Sequence, residues 1–250
     1  GTQIAGRVPQ TLSCAGNSSR ASGNDRARQT NKQESKIFQS LRRDSMYTFA
    51  NQKDVKELAK WCDSIINEVQ KEVKEYVTFS FHLIGSGGKK LVTQNGDEAF
   101  DLDYNLIIQK DKQGLIDEPK RLKNIIRQAF DDVLRENVQG YNGAKDSRSV
   151  ITITFADGVK RTFSFDVAIY VEADNGYMYR LINDKYTGRY IWNQVPKSRN
   201  YEDKMQAIKD NGEWEDFKYR YLELKNMHLR RSDEVRSFSI FLEALNEFYR

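Results

Sequence analysis

Two long segments of the chain carry apolar residues at helical spacing. Over residues 55–73, and again over residues 122–134, apolar side chains recur at positions i, i+3, i+4 and i+7. That spacing places them on one face of a helix. Asp117 and Pro119 stand just before the second segment, where acidic residues and proline are typical of a helix start. We therefore predict two amphipathic helices, each with one buried face.

Between and after these helices the apolar pattern is that of strands. "VTFSFHLI" predicts a strand that ends at Gly85, and "LVTQNGDEAFDLDYNLIIQ" combines an Asn-Gly turn signal with a second strand. "SVITITFADGVKRTFSFDVAIYVEA" predicts a hairpin, because the pair Asp157-Gly158 separates two runs rich in β-branched and aromatic residues. The order of helices and strands indicates an α+β fold followed by a helical part.

The two ends of the chain differ in composition from this core. Residues 1–45 are rich in Ser, Asn, Gly and Arg and poor in apolar residues, which predicts a disordered leader or a segment added for expression. Met46 is then a candidate natural start. Residues 176–250 predict a C-terminal, mostly helical region, whose last helix begins after Ser232, a candidate N-cap. The core accordingly spans residues 46–175.

Composition and charge narrow the functional classes. The 250-residue chain has a net charge of +4 and two cysteines, Cys14 and Cys62. So few cysteines argue against a disulfide framework and for a reducing compartment. No apolar run approaches the ~20 residues that a membrane span needs. We expect a cytoplasmic protein with no membrane partner, whose mildly basic charge permits nucleotides or RNA as partners.

Three aspartates interrupt the predicted strands. In "FDLDYN" the strand alternation places Asp101 and Asp103 on one face, with Cα atoms roughly 7 Å apart. Two such charges repel unless a cation lies between them, and Mg²⁺, which takes oxygen ligands, is the natural bridge. Asp166 breaks the apolar run "TFSFDVAIY" in the same way. If the hairpin lies beside the first strand pair, Asp166 completes a three-carboxylate cluster that suits two metal ions and phosphoryl chemistry.

A glycine-rich turn precedes the aspartates. The glycines of "GSGG", which begins at Gly85, allow the backbone to approach a phosphate, and Ser86 offers a hydroxyl donor. Lys89 and Lys90 add positive charge nearby. The spacing is not that of a Walker A loop. The turn is therefore a candidate anion site.

Taken together, these residues resemble the polymerase-beta-like nucleotidyltransferase superfamily. The shared pattern is an apolar strand, the Gly85-Ser86 turn, the Asp101-Leu102-Asp103 pair and a third aspartate, Asp166, on a later strand. The resemblance covers residues 55–172 and implies a mixed sheet with flanking helices. It also implies that Asp101 and Asp103 bind Mg²⁺ (or Mn²⁺) and a nucleoside triphosphate, with ATP expected. Asp166 would bind a second metal and help to activate an acceptor hydroxyl, while Gly85 and Ser86 would hold the phosphates.

The spacer between turn and aspartate pair points to a branch of that superfamily. It is longer than in the small antibiotic-modifying members and is similar in style to the branch that contains oligoadenylate and cyclic-dinucleotide synthases. RNA, another nucleotide, a small antibiotic-like molecule and a protein side chain all stay open as the acceptor. The chain departs from the branch in its C-terminal part, since 84 residues follow Asp166 where a larger helical domain is usual.

Other interpretations of the same residues stay open at this point. The GSGG turn is also compatible with a plain loop, and the aspartates with a solvated strand surface. The aromatic stretch from Tyr177 to Trp192, with Arg180 and Arg189 interleaved, is compatible with base stacking or with core packing. His82 is interpreted as structural. Two further functions fit the pattern: a nucleotide-binding module without catalysis, and an RNA-binding protein that acts through basic helices.

Overall fold

A computed structural model describes residues 46–96, 98–135, 138–157, 160–196, 200–231 and 235–249. The predicted leader at residues 1–45, Gly158 of the predicted hairpin turn and the candidate cap Ser232 lie outside the described residues. The described chain forms two compact units. The first comprises residues 50–92 and 99–196, and the second comprises residues 46–49, 93–98 and 200–249 within those limits.

The secondary structure alternates strands and helices through the first unit and ends in helices in the second. The strands are β1 (Tyr47–Phe49), β2 (Val77–Ile84), β3 (Thr93–Asn95), β4 (Asp101–Asp111), β5 (Tyr141–Asp146), β6 (Ile151–Asp157), β7 (Lys160–Glu172), β8 (Met178–Asp184) and β9 (Arg189–Gln194). The helices are α1 (Gln52–Val73), α2 (Gly85–Lys89), α3 (Pro119–Arg135), α4 (Tyr201–Asp210), α5 (Trp214–Arg231) and α6 (Ser237–Phe248).

A seven-stranded mixed sheet forms the centre of the first unit. Its main order is β2-β4-β7-β6-β5, and β8 pairs with the C-terminal end of β7 and with β9. β4 and β7 run parallel, whereas the other neighbours are antiparallel. The predicted α+β class, a mixed sheet with flanking helices followed by a helical C-terminal part, is confirmed.

Helices α1 and α3 cover one face of this sheet with an aromatic core. The Trp61 ring lies 5.0 Å from that of Phe155, and the Phe130 ring lies 6.0 Å from that of Phe165. The buried Tyr104 side chain of β4 donates its hydroxyl hydrogen to Asp63 Oδ1 of α1 at 2.9 Å. Because strand residues alternate, the other face of β4 and β7 carries the polar residues of these strands.

Three local features differ from the sequence predictions. The GSGG turn is the five-residue helix α2, which packs against β2 and β4 rather than forming an open loop. The last helix begins at Ser237, four residues later than predicted. The aromatic stretch after Tyr177 forms β8 and β9, so the region predicted to begin at residue 176 starts with two strands of the central sheet. The division of the chain at residue 175 stays a prediction.

The second unit is built on helices α4 to α6 and the short β1–β3 pair. The Phe217 ring of α5 packs against Phe241 and Phe248 of α6 at 5.7 and 5.8 Å. Asn226 fixes β1 to α5, because its side chain accepts a hydrogen bond from Tyr47 N at 2.6 Å and donates one to Tyr47 O at 3.0 Å. Within the described ranges, no helix combines the length and apolar character that crossing a bilayer requires.

A buried lysine lies in this second unit. Lys225 Nζ donates a hydrogen bond to Thr93 Oγ1 at 2.6 Å and lies 4.3 Å from the centre of the Tyr47 ring. Burial disfavours its charged form and lowers the pKa of Lys225 to about 8. Below that pH Lys225 is charged in the folded state, and burying this charge lowers the free energy of unfolding.

We expect Lys225→Met to change how stability depends on pH. The pKa of Lys225 lies below its ordinary value of 10.5 in the folded state, so the unfolded chain binds the proton more tightly. The free energy of unfolding of the unaltered protein should therefore rise between pH 8 and pH 10.5, by an amount on the order of 2–3 kcal/mol. Urea unfolding of both proteins at pH 7.5, 9 and 10 measures this. The exposed Lys60→Met variant is the control and should keep the rise, and persistence of the rise in Lys225→Met would contradict the prediction.

Candidate active site

Strand pairing brings the three predicted aspartates to one face of the sheet. Asp103 of β4 lies directly opposite Asp166 of β7 in the parallel register, and Asp101 lies opposite Ser164. Residues opposite each other on neighbouring strands point to the same face, about 5 Å apart at their backbones. Asp101 is exposed, whereas Asp103 and Asp166 are half-buried. The sequence predicted the shared face of Asp101 and Asp103, and the β4–β7 pairing adds Asp166 to it.

Helix α2 closes against Asp103 from the end of β2. Gly85 begins α2 with φ +61°, a left-handed conformation that favours glycine. A β-carbon on Gly85 would lie 2.6 Å from Asp103 Oδ2, and one on Gly88 would lie 2.7 Å from Leu83 O. Glycine is therefore required here because Asp103 and the β2 backbone come so close. The sequence had suggested a different reason, the approach of a phosphate.

The remaining predicted site residues, Ser86, Lys89 and Lys90, belong to α2 or end it, and Ser164 of β7 adds a contact to Asp101 that the sequence did not predict. Ser164, which is buried, donates its hydroxyl hydrogen to Asp101 Oδ1. Lys89 Nζ donates a hydrogen bond to Gly85 O at 3.3 Å, which folds its side chain back over α2. Lys90 is exposed and left-handed at φ 59°, where it ends the helix. Ser86 is half-buried on α2.

The electrostatic state of Asp103 reflects its crowded surroundings. Burial disfavours its charged form, and the negative charges of Asp166 and Asp101 add to that effect, while Lys89 opposes it. Together they raise the pKa of Asp103 to about 6. Asp103 thus lies at a place where negative charge accumulates, and Lys89 opposes that charge only in part.

The donor chemistry of this face fits a hard divalent cation. Three carboxylates on adjacent strands offer the oxygen ligands that Mg²⁺ and Mn²⁺ prefer, and a cation would relieve the repulsion felt by Asp103. Over the part of the chain that the structure describes, no three acidic, histidine or cysteine side chains are arranged to hold one metal ion. Joint coordination by the three aspartates therefore requires at least one side chain to rotate. Asp101, which bonds to Ser164, is a candidate.

Three polar residues on the same face were not among the predicted site residues. Ser164 holds Asp101, as described above. Asn105 follows Asp103 by two positions, and its buried Oδ1 atom has no hydrogen-bond partner among the described residues. Arg180 of β8 lies opposite Tyr170 of β7, and its buried Nε likewise has no hydrogen-bond partner there. Asn105 follows from strand alternation, but Arg180 depends on the β7–β8 pairing, which the sequence does not reveal.

We expect Asp103→Asn to stabilise the metal-free protein. The pKa of Asp103 is about 6 in the folded state and ordinarily 3.8, so ionisation between pH 4 and pH 6 costs stability that the amide does not lose. In EDTA at pH 7.5 the variant should unfold with a free energy higher by up to ~3 kcal/mol. The exposed Asp132→Asn is the matched control and should show no gain. Urea unfolding from pH 4 to pH 8 measures the stability of the two variants. If the free energy of unfolding falls equally with rising pH in Asp103→Asn and in Asp132→Asn, the interpretation is refuted.

Comparison with known proteins gives structural but not sequence relatives. No protein-family model matches the chain, and no curated protein matches it by sequence. Among solved structures, the Vibrio cholerae di-nucleotide cyclase DncV with GTP has 12% identity and a TM-score of 0.50, covering 79% of this chain and 57% of DncV. The 3′-deoxy ATP-bound form of DncV has 13% identity and a TM-score of 0.50, with 79% and 55% covered.

A third match is the Bradyrhizobium diazoefficiens CD-NTase CdnG in complex with GTP, with 12% identity, a TM-score of 0.44 and coverage of 70% of this chain and 43% of CdnG. The chain spans about half the length of the solved proteins it matches. Identities this low establish the fold alone. The fold expected from the residues is thereby confirmed: the chain shares the fold of the di-nucleotide cyclase DncV.

Proposed function

We propose that the protein is a divalent-metal-dependent nucleotidyltransferase. It would transfer a nucleoside monophosphate from a nucleoside triphosphate to an acceptor hydroxyl and release pyrophosphate. The observation that carries this proposal is the register of β4 and β7, which puts Asp103 beside Asp166 and Asp101 two positions away on the same face. The nucleotides in the DncV structures support a nucleoside triphosphate as the substrate class.

The aspartates have distinct roles in this proposal. Asp101, Asp103 and Asp166 would hold one or two Mg²⁺ or Mn²⁺ ions, which supply positive charge against the phosphates. Asp166 is placed to accept the proton of the acceptor hydroxyl. Ser164 orients Asp101 until substrate arrives, because its hydroxyl bonds to that carboxylate.

The transfer itself breaks one phosphoanhydride bond and forms one phosphate ester bond. The acceptor oxygen bonds to the α-phosphorus as the bond between that phosphorus and the bridging oxygen of pyrophosphate breaks. The hydroxyl proton passes to Asp166, and pyrophosphate leaves with the bonding electron pair. The contribution of the chain is mainly positioning and electrostatics, since it holds both reactants against one sheet face.

Helix α2 is the proposed phosphate-binding element. Gly85 and Ser86 lie beside Asp103, and Lys89 and Lys90 supply positive charge within the same short segment. Arg180 is a candidate contact for the acceptor, because its strand position lies roughly 14 Å from Asp166 on the same face, within the span of a nucleotide. RNA and a second nucleotide are the candidate acceptors, and the di-nucleotide cyclase fold favours the second nucleotide.

A nucleotide-binding module without transfer is the second candidate. The observation that favours it is the bond from Ser164 to Asp101, which keeps that carboxylate turned toward β7. A binding module would take up ATP and a divalent ion without consuming them. Calorimetry of ATP binding beside a pyrophosphate-release assay distinguishes the two functions.

We expect each of Asp101→Asn, Asp103→Asn and Asp166→Asn to lower nucleotide transfer at least 100-fold, because each removes a carboxylate of the proposed site. The assay incubates the protein with each α-³²P nucleoside triphosphate and Mg²⁺, with and without RNA, and resolves the products by chromatography. A labelled dinucleotide, a tailed RNA or no product separates the candidate acceptors from the binding module.

The control for these variants is Asp132→Asn, an exposed aspartate of α3 away from the site. It should retain full transfer. The proposed mechanism would be overturned by two results together: the Asp103→Asn protein keeps its full turnover, and EDTA has no effect on the unaltered protein.

We expect Gly85→Ala to reduce transfer at least tenfold with a smaller effect on nucleotide binding. The added methyl group would meet Asp103 Oδ2 at 2.6 Å and force the left-handed backbone into a strained state, so Asp103 must move. Steady-state kinetics should show a fall in kcat larger than any rise in KM. Gly114→Ala is the matched control, since Gly114 also has positive φ but nothing lies within 4 Å of its added carbon. Equal losses in both variants would mean that backbone strain, not displacement of Asp103, is responsible.

A further inference from the structure

Strand β9 is an edge of the central sheet. Within the described residues it pairs with β8 alone. Val195 N donates to Met178 O at 2.8 Å, and these two residues continue the register of the β8–β9 pair. Because hydrogen-bonded and non-hydrogen-bonded pairs alternate along antiparallel strands, the backbone groups of Tyr190, Trp192 and Gln194 point outward. Unpaired N–H and C=O groups of this kind are a template for another strand.

A cavity of about 860 Å³ adjoins the start of this edge. It lies between the first half of α3 and the segment from Gly188 to Ile191. The side of the cavity on α3 carries Lys120 and Arg121, and the side on β9 carries Arg189 and Tyr190. A strand added to β9 would therefore run along α3, which forms the other wall of the cavity.

The cavity has an excess of positive charge. Glu118 is its one acidic residue, and it pairs with Arg121 at 3.2 Å. Arg127, also at the cavity, pairs with Asp131 at 3.4 Å. Lys120 and Arg189 have no carboxylate partner among the described residues, although Lys120 lies 5.9 Å from the centre of the Tyr190 ring. Two cations flanking the outward edge of β9 are thus available for acidic side chains.

The edge is rigidly held before any partner arrives. Tyr190 donates its hydroxyl hydrogen to Asp146, which Asn183 Nδ2 also contacts at 2.7 Å and Lys123 Nζ at 2.7 Å. Trp192 Nε1 donates to Ile116 O at 2.8 Å. A preformed edge costs little conformational entropy to bind, which favours an extended partner.

We propose that the β9 edge and its cavity bind an extended acidic segment of a partner protein. The segment would pair its backbone with the outward groups of Tyr190, Trp192 and Gln194 and place carboxylates beside Lys120 and Arg189. The outward groups alternate between donors and acceptors, as a peptide backbone does. A nucleic-acid backbone offers phosphate acceptors alone and leaves the outward carbonyl groups unpaired, so the edge favours a peptide.

The test uses three fluorescein-labelled octapeptides and fluorescence anisotropy with the full chain. The first alternates Glu and Val, the second alternates Lys and Val, and the third is the Glu-Val peptide with all of its backbone nitrogens methylated. We expect binding of the first peptide alone, because the second has the wrong charge and the third cannot complete the strand pairing. Lys120→Glu with Arg189→Glu should weaken binding of the first peptide at least tenfold.

Two variants separate this site from general charge and from misfolding. Lys56→Glu with Lys60→Glu makes the same charge change on exposed positions of α1 and should leave binding unchanged. Gln194→Pro removes one outward N–H of an edge strand, a position that tolerates proline, and should weaken binding at least threefold without lowering the Tm. Equal binding of the methylated peptide, equal loss in the α1 variant, or tighter binding of a 20-nucleotide poly-dT than of the Glu-Val peptide would overturn the proposal.

Discussion

Opposite residues of parallel strands project to the same face, and in this sheet that rule joins Asp103 to Asp166. The other face of each strand locks this register. Tyr104 of β4 bonds to Asp63 of α1, Phe165 of β7 packs against Phe130 of α3, and Leu102 is buried in the same core. A slip of one residue would turn Asp166 into the aromatic core and its apolar neighbours outward. The hydrophobic core thus determines which side chains meet on the opposite face. The geometry of the candidate site is therefore a consequence of packing on the other side of the sheet.

Placing like charges together costs stability, and the aromatic face offsets that cost. The rings of Phe155, Phe163 and Phe165 lie about 6 Å apart across β6 and β7. The ring of Trp61 packs edge-on against Phe155 from α1. Each such ring contact contributes about 0.5–1.5 kcal/mol beyond the area it buries. A sheet with weaker packing would tolerate the raised pKa of Asp103 less well, so the well-packed aromatic layer helps the fold to carry three acidic side chains on one face of adjacent strands.

The sequence predicts the parts of this arrangement that depend on local periodicity. Strand alternation is sufficient to place Asp101 and Asp103 on one face, and helical spacing is sufficient to find α1 and α3. The close approach of Gly85 to Asp103 and the position of Arg180 opposite Tyr170 arise from pairing between distant segments, which no local pattern records. The aromatic stretch shows the same limit. Tyr179 and Trp192 pack against the core, while Tyr186 of the β8–β9 turn is 98% exposed. The alternation of apolar and polar residues in this stretch is too short to distinguish buried from exposed aromatic side chains in advance.

Two half-buried aspartates of the same sheet show how structural and candidate catalytic acids differ. Burial alone would raise the pKa of Asp146, but hydrogen bonds from Lys123, Tyr190 and Asn183 and the charge of Lys123 lower it below its usual value. The pKa of Asp103 is raised instead, because burial disfavours its charge and the charges of Asp166 and Asp101 add to that effect, with Lys89 opposing it. Asp146 therefore supplies a fixed anchor for the β8–β9 hairpin and is already neutralised. The charge of Asp103 is opposed by its acidic neighbours, and the divalent cation of the proposed function would relieve that repulsion.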